Sequence, residues 1–204
     1  MEKHRFTLRL LHTSEYPAAV KICARAMRDN PIHIRVFGHN SKLRQRRLQR
    51  FFPTLINYLA NKGELYGAFE RDLLIGVLGI LPPGHCQPSL PEIIRLLPGL
   101  LKSNSLFGTA RTLYWLSRWA RLDPVTPHWH LGPLAVVPEH QGKGAGRQLM
   151  ELACQHGGND LLYLETDKPE NVTFYQSLGF GIIKTVSILG SQCWLMTRSQ
   201  PKRT

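Results

Sequence analysis

Acidic residues are scarce in this chain. Against 26 Lys and Arg it carries 14 Asp and Glu, a formal net charge of +12 over 204 residues. Such an excess implies an anionic ligand or partner, or a basic surface that aids solubility. Cysteine is scarce as well. Cys23, Cys86, Cys154 and Cys193 stand far apart, without metal-ligand spacing, and read as reduced thiols of a cytoplasmic protein that holds no metal. Long apolar runs are missing. The best, Ile93 to Leu101, is broken by Arg95 and Pro98, which excludes a membrane span there. Met1 to Arg5 is charged and no apolar segment follows, so no secretory signal is expected. There is no internal repeat, no zinc finger and no aromatic RNA-binding motif, so neither a specific nucleic acid nor a membrane is an expected partner. The densest basic run, Lys42 to Arg50, reads as the solvated face of an amphipathic helix with Leu43, Leu48 and Phe51 on its apolar stripe. With 43% hydrophobic residues, ordinary for a globular chain, residues 1–204 are read as one domain.

What the chain does have is a glycine-rich turn, Leu134-Ala-Val-Val-Pro-Glu-His-Gln-Gly-Lys-Gly-Ala-Gly-Arg147. It reads as a strand end, a turn and a helix start. Unpaired N–H groups and the helix dipole make such a start an anion site suited to phosphate. Gly142, Gly144 and Gly146 remove Cβ atoms from its surface, and Lys143 and Arg147 add charge. A P-loop would need Lys-Ser/Thr after its last glycine, and a dinucleotide fingerprint would need glycine where Arg147 stands, so both fail. Left over is Gln141-x-x-Gly144-x-Gly146.

A second motif follows about thirty residues on: Leu162-Tyr-Leu-Glu-Thr-Asp-Lys-Pro-Glu-Asn-Val-Thr-Phe-Tyr-Gln-Ser-Leu-Gly-Phe180. Asn171 fits a helix N-cap and Gly179 a helix C-terminus. The two motifs, in this order, resemble the GNAT superfamily of acyl-CoA-dependent N-acyltransferases. The likeness is good from Trp129 to Arg198, and its wording is similar to the puromycin N-acetyltransferase branch. Residues before Trp129 resemble the superfamily only in their order of elements.

The resemblance implies an α/β (α+β mixed) fold: a twisted mixed sheet flanked by helices, with a splayed central strand pair. A strand at Phe6–Leu11, a helix capped by Ser14 and a helix at about Lys42–Asn61 come first. A hairpin over Leu65–Leu81, a helical insert at about 85–125, and the order strand, helix, strand, helix and two strands complete it. Trp115 and Trp119, one turn apart in the insert, read as core residues, or as one wall of an acceptor pocket. The resemblance further implies acetyl-CoA as co-substrate. The backbone of Leu134, Ala135 and Val136 would pair with its pantetheine. Gln141, Gly142, Lys143, Gly144, Ala145, Gly146 and Arg147 would take its diphosphate, and Asn171 would add a hydrogen bond. Gly132-Pro133 marks a bulge that opens the strand, since proline cannot donate to a sheet ladder.

Amine acylation needs a base for the incoming amine, stabilisation of an oxyanion and an acid for the leaving thiolate. By resemblance Tyr175 is that acid; a phenol of pKa ~10 is protonated at neutral pH. For the base, His130 is the first candidate, with His128 and Glu165 as alternatives; a histidine pKa of ~6.5 suits the task. On a regular strand His128, His130 and Leu134 share one face, a parity that a bulge alters. The expected function is acetyl transfer to a primary amine of a small molecule, by a monomer or homodimer. A protein or peptide N-acetyltransferase, and a CoA-binding interaction module without transfer activity, are the alternatives.

Overall fold

The computed structural model describes residues 6–199; the charged start, Met1 to Arg5, lies outside them. The first strand, β1 (Thr7–Leu10), leads through a 3-10 turn at Thr13–Glu15 to α1 (Tyr16–Ala26). The sequence reading ended this helix at about Arg28, before Asn30-Pro31, and placed no element between there and Lys42; a further helix, α2 (Pro31–Phe37), begins at that proline. Proline is favoured in the first turn because the N–H it lacks would have no helical partner there. Then come α3 (Ser41–Lys62) and the hairpin β2 (Glu64–Glu70) and β3 (Leu73–Leu81). The helical insert is α4 (Leu90–Ser103) and α5 (Leu106–Ala120). The chain closes with β4 (His128–Val136), α6 (Ala145–His156), β5 (Leu161–Thr166), α7 (Pro169–Gln176), β6 (Gly181–Ile188) and β7 (Ser191–Arg198).

Among the described residues seven strands form one sheet in the order β1-β2-β3-β4-β5-β7-β6. Of these β4 and β5 pair parallel, and the other neighbouring pairs are antiparallel. Two apolar clusters sandwich the sheet. One lies under α1 to α5 and holds Phe37, Phe51, Phe52, Leu59, Val77 and Trp115. The other lies under α6 and α7 and holds Ile75, Leu78, Leu131, Leu149, Met150 and Tyr175. Trp115 is thus a core residue, its ring against Trp119 and His33. No helix among the described residues is long and apolar enough to cross a membrane.

The basic run corrects one expectation. Leu43 is exposed, whereas Arg44 is 4% exposed and sits where the apolar stripe was placed. The reason is a shortage of donors at the turn between α2 and α3. Arg44 donates to the backbone carbonyls of Arg28, Gly38 and His39, and pairs with Asp29. Arg47 donates to Phe37 O at the end of α2. Cations suit carbonyl-rich helix ends, and a buried carbonyl without a donor is costly. Arg44 is therefore a structural pin, while Arg46 and Arg50 keep the solvated role. Replacing Arg44 with Met retains its aliphatic stem but strips three carbonyls of this donor and leaves Asp29 with Arg28 alone. Arg44→Met is expected to lower the unfolding free energy by about 3 kcal/mol, read as a lower urea midpoint at unchanged m. Arg46→Met, made in parallel, should shift the midpoint little.

Candidate active site

The site starts from one extra residue in β4. Leu78 pairs with Leu134, but Ile80 pairs with Leu131, so three steps of β4 match two of β3. The surplus lies at Gly132-Pro133, as the proline led one to expect. Gly79 accommodates it: a Cβ there would stand 2.6 Å from Gly132 O. The bulge breaks the alternation of side chains. Leu131, Leu134 and Val136 all pack on the α6 side, while Ala135 joins the α1–α5 side. His128 and His130 consequently do not share a face with Leu134, as a regular strand would require. Both histidines, with Cys86 beside them, face the insert.

The bulge also coincides with the parting of the sheet. Parallel pairing between β4 and β5 covers only His128 to His130 against Leu161 to Tyr163. Beyond it β5 follows β7 as far as Thr166–Trp194, and β4 follows β3 as far as Val136–Gly76. The β5-facing edge of Leu134, Ala135 and Val136 thus has no strand partner among the described residues. Only Val136 O is met there, by the Gln141 side-chain amide at 3.0 Å. Gln141 therefore tethers the strand end, a structural task beside any ligand contact.

The opened edge runs into the glycine turn. A 3-10 turn, Pro138–His140, is held by the Arg25–Glu139 ion pair and by His140 Nε2 3.0 Å from Glu70. Gly142 (φ +73°) and Gly144 (φ +95°) follow, and Gly144 is the N-cap of α6. Side chains rarely adopt such φ values, and a Cβ at either position would point into open space. Glycine is required here by conformation, and the first N–H groups of α6 are left uncovered at Gly144, Ala145 and Gly146. Lys143 is exposed beside them. Arg147 turns away along the helix, donating to Ser177 Oγ at 2.7 Å with Glu151 3.8 Å off.

On the far side of the opening stands α7. Its N-cap is Lys168, which corrects the assignment of Asn171. Asn171 lies in the first turn and donates to Thr166 Oγ1 at 3.1 Å, so its amide ties α7 to the end of β5. Gly179 (φ +87°) closes the helix, with Phe180 N bonded to Tyr175 O and Gly179 N to Gln176 O, as read from the sequence. Tyr175 is buried with Val172 and Phe180, and its hydroxyl has no hydrogen-bond partner among the described residues. Burial, with the Asp167 carboxylate as a smaller cause, raises its pKa, which keeps it protonated.

The three candidate bases converge. His130 Nε2 lies 3.0 Å from Glu165 Oε2, and His130 Nδ1 lies 3.7 Å from Asp123 Oδ1. The rings of His128 and His130 both pack edge-on against Tyr163. Burial opposes charge on His130, but Glu165 and then Asp123 outweigh it, so its pKa is raised. Burial also raises the Asp123 carboxyl, which His130 partly offsets. Tyr163, Asp123 and Cys86 were not foreseen here. They arrive from β5 and from the two ends of the insert, and only Asp123-Pro124 left a trace in the sequence, as a chain break. Asp167 was missed as well. Its carboxylate accepts from Ile32 N at 2.7 Å and Asn30 Nδ2 at 3.3 Å, clamping the start of α2 to the end of β5.

Comparison with known proteins agrees with this geometry. The chain is similar over 98% of its length, at 18% identity and TM-score 0.74, to a protein described as histone acetyltransferase HPA2 and related acetyltransferase from Corynebacterium glutamicum, 99% of which is covered. Drosophila melanogaster polyamine N-acetyltransferase, which catalyses formation of N-acetylagmatine, matches at 16% identity and TM-score 0.65, over 96% of this chain and 100% of that one. Arylalkylamine N-acetyltransferase 2 from Aedes aegypti matches at 14% identity and TM-score 0.61, over 96% and 99%. At such identities these three show the fold. A family description, Acetyltransferase (GNAT) family, matches residues 34–180, which include the bulged strand, the glycine turn and α7. The chain belongs to the GNAT acetyltransferase family.

Proposed function

We propose that this protein is an acetyl-CoA-dependent N-acetyltransferase whose acceptor is a primary amine of a small molecule. The observation that carries the reading is the opening between β4 and β5, with a glycine turn at one end and Tyr175 and the His130–Glu165 pair at its sides. Acetyl-CoA, as substrate, supplies an activated acetyl thioester. The free edge of Leu134, Ala135 and Val136 suits amide groups laid along it as an added strand would be. The uncovered N–H groups at Gly142, Gly144, Ala145 and Gly146, with Lys143 close by, suit a diphosphate. Asn171 and Arg147 already have protein partners, so their part in holding the ligand is secondary.

The chain's residues then divide the proton work. The acceptor must lose a proton as its nitrogen bonds to the acetyl carbon. His130 takes that proton at Nδ1, relayed through water, because its Nε2–H is held by Glu165. Glu165 and Asp123 stabilise the resulting imidazolium. Tyr175 gives its hydroxyl proton to the departing thiolate, and backbone N–H groups of β4 stabilise the oxyanion. A small acceptor is favoured over a peptide by the bulky apolar insert, whose two ends bring Cys86 and Asp123 up to His130. The named activities of the polyamine and arylalkylamine enzymes, which share the fold, point the same way.

Release of CoA, followed with a panel of alkyl amines, tests the activity. A binding module without transfer would take up acetyl-CoA but release no CoA with any acceptor. Tyr175→Phe keeps the ring packing and is expected to cut kcat by ~10²-fold, with the Kd for acetyl-CoA nearly unchanged; wild-type turnover would make the phenol structural. His130→Gln should lower kcat/KM by at least ~10²-fold while acetyl-CoA still binds. Unchanged kcat/KM would move the base to His128, Glu165 or solvent. Gly144→Val forces a β-branched residue to φ +95°. About 1–3 kcal/mol of backbone strain is expected to reshape the turn and to weaken acetyl-CoA binding ~10-fold or more, measured by calorimetry on a variant whose thermal unfolding is still cooperative.

A further inference from the structure

The face of β4 and β5 that carries His130 holds a polar nest. Five of its atoms are buried and have no hydrogen-bond partner among the described residues: Asp123 Oδ1, His128 Nε2, His130 Nδ1, Tyr163 OH and Glu165 Oε1. Buried polar atoms are nearly always paired, so five in one place call for an occupant. Charge narrows its kind. The side chains of Asp123 and Glu165 are 4% and 3% exposed, and one imidazole is the nearest cation to both. Two buried carboxylates so close to one imidazole favour a further cation between them.

The tautomers narrow it further. A carbonyl can only accept, so the 2.9 Å contact of His128 Nδ1 with Thr126 O makes Nδ1 the N–H. Nε2 of His128 then carries a bare lone pair. Glu165 likewise takes the N–H of His130 at Nε2, which leaves the Nδ1 lone pair bare. Each ring thus has one nitrogen fixed by an outer acceptor and the other free, the pattern of metal-binding histidines. Cys86 completes the set: one donor atom each of Cys86, His128 and His130 lies within 4.8 Å of the other two, and Asp123, His130 and Glu165 form a second such group. Zinc bonds of about 2.0–2.3 Å place ligand atoms about 3.3–3.8 Å apart. The 3.7 Å between His130 Nδ1 and Asp123 Oδ1 falls within that range, and a bound ion would draw the Cys86 and His128 donors in from within 4.8 Å of the His130 donor. A thiolate with two imidazoles selects zinc over magnesium or calcium.

We propose that Cys86, His128 and His130, with Asp123 as fourth ligand, form a Zn2+ site, and that the bound ion inhibits acetyl transfer by occupying His130 Nδ1. The inhibitory half rests on the function proposed above; the binding half stands without it. On binding, the Cys86 S–H bond gives way to an S–Zn bond and its proton passes to solvent. The insert is the means of assembly. Cys86 lies at its entrance and Asp123 at its exit, and the Gln87 side-chain amide joins the two by donating to Ala120 O at 2.6 Å and Asp123 Oδ2 at 3.3 Å.

The full-length protein, stripped with chelator, would be titrated with Zn2+ by calorimetry and with Co2+ by absorption. One ion per chain, a thiolate-to-cobalt charge-transfer band and tetrahedral visible bands are expected. Cys86→Ser should remove the charge-transfer band and weaken Zn2+ binding at least ~100-fold, and so should His128→Asn. No saturable binding, binding unchanged in both variants, or a cobalt spectrum without the thiolate band would overturn the site. The cobalt spectrum of the unaltered protein decides even where a variant does not fold. For the inhibitory half, Zn2+ should abolish CoA release, chelator should restore it, and Cys86→Ser should be active and zinc-resistant. Binding that leaves turnover intact would overturn inhibition alone. An absence of turnover in zinc-free protein with every amine tested would count against the proposed activity, while calorimetry and the cobalt spectrum still decide the site.

Discussion

The parting of β4 from β5 is the constraint on which the rest of the molecule hangs. Two parallel strands held together for three residues and then separated leave backbone groups on both inner edges. Everything nearby manages that condition. The extra residue at Gly132-Pro133 turns β4 away, Gly79 makes room for it, and Gln141 ties the strand end. On the other strand Thr166 and Asp167 anchor α7 and α2, so the end of β5 is held by side chains where a ladder would otherwise hold it. The opening is therefore built into the ground state, and both of its banks are stiff.

Much of this was legible in the chain. Two apolar runs on either side of Arg71-Asp72 gave away the β2–β3 hairpin, and glycine placement marked the start of α6 and the end of α7. The proline in β4 announced the bulge. These features are local: backbone conformation at Gly144 or Gly179 is written in the residue itself. Two readings failed, and a third held only for a regular strand, for the opposite reason. Asn171 was taken for an N-cap because its side chain could serve either neighbour, and Thr166 decided the matter. Arg44 was taken for a surface charge because the carbonyls that draw it inward belong to another segment. The shared face of His130 and Leu134 depended on a count that the bulge altered. The nest around His130 was half visible: its histidines and Glu165 are on strands, but Cys86 and Asp123 are joined to them only by the folding of the insert.

Charge is distributed unevenly across the depth of the protein. The chain as a whole carries +12, yet its best-buried carboxylates, Asp123, Glu165 and Asp167, all lie along β5 or facing it. A positive exterior favours approach of a polyanionic cofactor, while a negative interior favours protonated imidazole and a cationic acceptor. The two preferences are kept apart by the sheet itself. The glycine turn opens at its carboxyl edge among exposed Lys143 and Arg147, and the acid nest faces the insert.

The clasp at the foot of the insert has an evolutionary consequence. Gln87 fastens the exit of the α4–α5 hairpin to its entrance, and the hairpin is seated on α2 and α3, with Leu100 and Trp115 in the shared core and Asn104 and Arg111 donating to Val36 O and Arg35 O. A hairpin of different length or sequence that kept the bridge and this seat on α2 and α3 would leave every strand in place. Recombination or insertion in this segment can thus explore new acceptor pockets while the acyl-donor half stays fixed, and the fold diversifies at a hinge of only a few residues.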